Sequence, residues 1–161
     1  MLDRTKLERA MGIVVEGTKE TIIPKLGPGD DIATMLFLLD EDGIIQNIVN
    51  LLMVGDIPPR LVEEAVKEAI EKFNAHGYIV QSTMWMLKVE SFDQIKVRPS
   101  ESPDRGECYT LSAGSATDSV MWSFEITRTE GKITHLEKQE MEEGTSVGLF
   151  VDLMGKPATV H

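Results

Sequence analysis

The side chains best suited to chemistry gather between Trp85 and Glu107. Trp85 and Met86 lie near the end of an apolar run. An irregular segment from Phe92 then leads into Arg98-Pro99-Ser100-Glu101-Ser102-Pro103-Asp104-Arg105-Gly106-Glu107. Arg98 and Arg105 offer planar, forked donors that match a carboxylate or a phosphate. Pro99 and Pro103 fix φ and stiffen the loop. Asp104 can accept from backbone donors of its own turn, and Trp85 presents a face on which a ligand can stack. Trp85, Arg98, Ser100, Asp104, Arg105 and Glu107 are therefore the candidate ligand-binding residues, for an anion or a small molecule. The same residues also make a plain stapled connector, with Arg105 paired to Asp104, Glu107 or the acidic surface. A Ser100–Asp104–histidine triad needs a histidine carried in by the fold. The sequence by itself cannot show one placed there, and no catalytic residue is assigned.

Elsewhere the reactive residue types are scattered. His76, His135 and His161 are the only histidines and Cys108 the only cysteine. A zinc site ordinarily takes three or four such ligands at short spacings, so no metal and no cofactor are expected. His76 falls near a helix C-terminus, where a capping role is the plainer one. Asp40-Glu41-Asp42 has the charge of a calcium loop without its twelve-residue spacing or closing Glu. Gly27, Gly29, Gly43 and Gly114 form no phosphate-cradling pattern. Cys108, Trp85 and Trp122 stand on strand patterns, where such residues are usually core.

The elements that must position these groups are legible from periodicity. Val62, Ala65, Val66, Ala69, Ile70 and Phe73 make one apolar stripe of a helix over 59–73, with Glu63–Lys67 and Glu68–Lys72 on its outer face. Phe73 is expected to be buried, and Gly77 to end the helix in a left-handed conformation. The period then changes to two, which predicts an interior strand over 78–89. Asp3 caps a first helix with Leu7, Ala10, Met11, Val14 and Val15 inward and Gly17 as its stop. Thr18 to Asp31 reads as a connector. Ile32 to Leu39 is a strand covered on both faces, and Asp42-Gly43 turns it into a partner from Ile44 to Val49. Strands follow at 107–113, 119–129 and 133–137, with a turn at Glu130-Gly131-Lys132. An exposed acidic stretch, 140–144, precedes a short helix starting at Thr145 or Ser146, with Val147, Phe150, Val151 and Met154 on one face. The last residues, 157–161, read as loose.

At 161 residues with 42% hydrophobic content, one domain spanning 1–161 with one real core is expected. The expected fold is α+β: an antiparallel sheet of five to six strands with helices packed on it. The net charge of −11 argues against a grip on nucleic acid or on an anionic membrane. The charged N-terminus has no signal-peptide core, no apolar run reaches membrane length, and a single cysteine forms no internal disulfide. A cytoplasmic location follows as the expectation.

The Trp85-Met86 pair and the Arg98–Glu107 segment together resemble a motif in small uncharacterised proteins of bacteria and their phages. There a strand ending in Trp-Met precedes a loop reading roughly Arg-Pro-Ser-x-x-Pro-Asp-Arg-x-Glu. The likeness extends upstream through the hairpin and the helix. Thr83 stands where those proteins commonly have an acid, and Ser102 where they commonly have a histidine. The order helix, two strands, helix, strands also looks like roadblock and longin domains, which often dimerise. That likeness is one of element order and carries no function across. The expected role is a self-associating, non-catalytic accessory module, most simply a homodimer. An enzyme using the Arg98–Glu107 loop, or a phage or mobile-element component, are the alternatives.

Overall fold

The computed structural model describes residues 2–51, 59–86 and 106–139. In chain order its elements are α1 (Arg4–Gly17), β1 (Met35–Leu39), β2 (Ile45–Asn50), α2 (Pro59–Lys72), β3 (Gly77–Met86), β4 (Gly106–Ser115), β5 (Ser119–Thr129) and β6 (Lys132–Gln139). The six strands form one open sheet in the order β2-β1-β3-β4-β5-β6, every neighbouring pair antiparallel. With the two helices this is the expected α+β class, at the upper end of the expected strand number. The expected short helix after Thr145, the acidic stretch before it and the strand beyond Met86 lie outside the described residues.

Local chemistry sets the turns. Asp40 Oδ1 accepts from the N–H groups of Asp42 at 2.9 Å and Ile44 at 3.0 Å, and Gly43 takes φ +80°. This closes the β1–β2 hairpin at the Asp-Gly pair. Glu130 and Gly131 both have positive φ, 53° and 82°, the pattern that matches strand twist in a two-residue hairpin loop. Asp3 caps α1 by accepting from the Lys6 N–H at 3.0 Å. The stripe Leu7, Ala10, Met11, Val14 and Val15 is buried as its spacing requires.

The helices take opposite faces. Alternation along a strand sends successive side chains to opposite sides. Phe37, Leu39, Ile79, Tyr109, Leu111, Phe124 and Ile126 meet α1 in one core, whereas Leu36, Leu38, Tyr78 and Val80 meet Val62, Val66 and Ile70 of α2 in a second. β1 therefore has apolar cover on both faces, which explains its unbroken Leu36–Leu39 run. β2 and β3 both pair antiparallel with β1 and so run parallel to each other. Their connection has to pass over β1, and α2 is the element that does so.

Three local expectations are corrected. Gly17 does not stop the first helix: the chain continues through a π-turn, Thr18–Ile22, and a 3-10 turn, Ile23–Lys25. Thr18 is buried and its hydroxyl bonds to Gln81 Oε1 at 3.2 Å, so helical backbone there seats a polar group that an irregular connector would leave wandering. Gly77 is not the helix terminator either. Asn74 takes the left-handed position, φ 48°, and Gly77 already pairs with Ser115 in β3. A Cβ at Gly77 would collide with Leu2 Cδ2 and meet the Gly114 carbonyl at 3.0 Å, so close approach is what requires glycine. Phe73 follows the last helical residue and is 38% exposed under the Lys72 ammonium, while Ala75 turns inward in its place.

Candidate functional site

Two of the six residues singled out from sequence are brought together. Trp85 and Glu107 are directly opposed partners across the β3–β4 ladder, on the α1 side of the sheet. Arg98, Ser100, Asp104 and Arg105 lie outside the described residues. Trp85 is 40% exposed, more open than a strand aromatic usually is.

Glu107 is committed to a residue the sequence did not single out. Arg128 on β5 donates from Nε to Glu107 Oε1 at 2.7 Å and from Nη2 to Oε2 at 3.1 Å. Nη2 also pairs with Asp31, and Nη1 reaches the carbonyls of Asp30 at 3.1 Å and Gly131 at 2.7 Å. A guanidinium has five N–H donors, and these contacts engage all of them. The hydrogen bond that Arg128 donates to Glu107 raises its already high pKa. The cluster is a clamp that ties the 30–31 segment, the β5–β6 turn and β4 into one corner. It has no donor left for an incoming anion. The signal for it in sequence is faint, because only the register of β4 on β5, with Cys108 opposite Glu125, brings Glu107 near Arg128.

A second polar cluster is sealed inside. The Tyr109 hydroxyl donates to Gln81 Oε1 at 2.7 Å, Thr18 joins both, and Gln81 Nε2 donates to the Ala33 carbonyl at 3.0 Å. Burial pushes the Tyr109 pKa up to about 12. Each member is satisfied, so the cluster fixes the approach of the π-turn to β3 and β4 rather than offering a reactive group. Cys108 is buried with its thiol pKa also raised by burial, the opposite of what a nucleophile requires.

Among the described residues two exposed surfaces bear on binding. The first is a groove of 680 Å³ between α1 and the β5–β6 end of the sheet, with Trp122 and Phe124 as floor. Lys138 Nζ stands 3.9 Å over the Trp122 ring and Lys19 Nζ 5.8 Å from the Phe124 ring centre. The second is the sheet edge at β2. Ile44 and Ile48 there are 61% and 57% exposed, and β2 carries no charged side chain. The opposite edge, β6, carries Lys132, Glu137 and Lys138. Among the described residues no cluster of three or more His, Cys, Asp or Glu side chains is arranged to hold a metal ion, and no helix is long and apolar enough to cross a membrane. No protein-family model, curated protein or solved structure matches the chain.

Proposed function

We propose that the protein is a non-catalytic accessory module that binds by self-association, forming a homodimer along its β2 edge. The observation that carries this reading is the contrast between the two edges of the sheet. An unpaired edge presents a row of free backbone donors and acceptors, and soluble proteins usually blunt it with charges. β6 follows that rule. β2 instead shows Ile48 to solvent among Gln46, Asn47 and Asn50, with Ile44 exposed just before the strand. On a chain of net charge −11, two copies repel over most of their surface, and an uncharged edge is where approach is least opposed. Antiparallel pairing about a two-fold axis uses the same edge on both copies. It would pair the outer backbone groups of Asn47–Asn50, which no strand among the described residues pairs, along the regular stretch beyond the bulge near Leu38–Leu39.

The test is sedimentation velocity on the full chain and on Ile48→Lys. The wild type is expected to sediment as a dimer at tens of micromolar, and Ile48→Lys as a monomer with an unchanged circular dichroism spectrum and melting curve. A monomeric wild type at about 100 μM, a concentration at which even a weak specific pair is populated, would remove the proposal. A dimer untouched by Ile48→Lys would move the interface elsewhere.

A further inference from the structure

We propose that the groove between α1 and the β5–β6 end of the sheet is a binding site for a small aromatic carboxylate. Its 680 Å³ falls within the range of about 300–1,000 Å³ usual for small-molecule sites. Trp122 and Phe124 are two apart on β5, so both rings face the same side, with Trp122 half-buried at the base of the groove and Phe124 buried beneath it. Ile13, 60% exposed on α1, gives an apolar wall.

Charge selects the ligand's sign. Arg9, Lys19 and Lys138 line the hollow against Glu16 and Glu20, a local excess of one cation on a chain of net charge −11. The two lysines rest on aromatic faces, and neither pairs with a carboxylate among the described residues. A lysine stem is flexible, and at an exposed site an ammonium's contact with a ring face and its contact with a carboxylate are of similar strength, so it can turn from one to the other at little cost. An arriving aromatic acid would therefore exchange partners with them: its ring takes the Trp122 face and its carboxylate takes the ammonium groups.

The helix side of the groove supports the same reading. Gly12 and Gly17 both line it. Neither has positive φ, and a Cβ on either would meet nothing within 4 Å. Neither backbone geometry nor a neighbour demands glycine there, although glycine is among the poorest helix residues. Their effect is to keep the groove wide beside the aromatic floor.

The experiment titrates the full chain with 2-naphthoate, followed by calorimetry and by amide NMR. We expect saturable one-to-one binding with shifts confined to residues 9–20 and 120–138. The neutral analogue 2-naphthalenemethanol should bind roughly tenfold more weakly, as should the acid to Lys138→Gln, each having lost one charged contact. Gly12→Phe projects a ring into open space, so it should abolish binding while leaving the melting temperature at or above that of the wild type. Lys138→Gln carries the decision should Gly12→Phe fail to fold. No saturable binding, equal binding of the neutral analogue, or binding retained by a folded Gly12→Phe protein would each overturn the proposal. Ile48→Lys should bind 2-naphthoate like the wild type, which separates this site from the dimer edge.

Discussion

Arg128 is the residue on which most separate segments converge. Its side chain is 18% exposed and the Glu107 side chain 19%, so the pair is largely withdrawn from water. Removing one partner leaves the other's charge and two backbone carbonyls poorly satisfied. Arg128→Gln is expected to cost about 2–4 kcal/mol in urea unfolding. Arg128→Lys should recover only part of this, because an ammonium cannot reproduce the two-pronged contact with Glu107. A double-mutant cycle with Glu107→Gln should return a coupling of about 1–2 kcal/mol, and a value near zero would mean the clamp is ornamental. Tyr109 makes a different prediction. Its pKa is raised to about 12 from the ordinary 10. Above pH 10 the unfolded chain ionises while the folded one holds its proton, so the stability this gives is complete below pH 10 and falls as pH rises towards 12. The full span corresponds to roughly 2–3 kcal/mol. Tyr109→Phe should flatten the pH dependence of stability in that window, and an unchanged slope would show that the hydroxyl is not buried.

At the scale of elements, α2 shows how far a stripe can be trusted. Val66 lies at its centre and is fully buried against the second core. Val66→Ala should cost about 2–3 kcal/mol, from lost methyl burial plus the cavity left behind. Phe73 continues the same spacing but lies past the last helical residue, half out of the core. Phe73→Ala should cost under about 1 kcal/mol, against the roughly 3–5 expected of a buried ring. Equal losses at the two positions would show that the helix runs one turn further. On α1, Gly12→Ala fills no occupied space and should stabilise the protein by about 0.5–1 kcal/mol, the helix preference of alanine over glycine.

For the whole molecule, the balance lies between net charge and an uncharged edge. Bringing two copies of a −11 chain together opposes whatever the β2 edges gain. Salt screens that repulsion over about 10 Å at 0.1 M, whereas backbone pairing and the burial of Ile48 depend on it little. The dimer is therefore expected to tighten on raising sodium chloride from about 20 to 300 mM, measured as a falling dissociation constant in sedimentation equilibrium. A dimer that weakens with salt would instead be held by ion pairs, and the β2 edge would not be its seat.

The amino-acid sequence alone determined the features that local physics controls. The α1 stripe follows from 3.6-residue spacing, the β1–β2 hairpin from Asp42-Gly43, the two faces of β3 from alternation, and the α+β class from the order of these patterns. Tertiary structure decided where one element's fate depends on another. Thr18 is held in a π-turn because Gln81 and Tyr109, far along the chain, wait for its hydroxyl. Gly77 is glycine because Leu2 and Gly114 crowd it, and Phe73 stays out because Asn74 turns the chain before the ring can reach the core. Glu107 was legible as a polar residue near Trp85. Its tie to Arg128 was not, because that contact is set by strand register and by the return of Asp31 from the first connector. The groove escaped the sequence for the same reason: α1 and β5–β6 are remote in the chain, and only their packing places Gly12 beside Trp122.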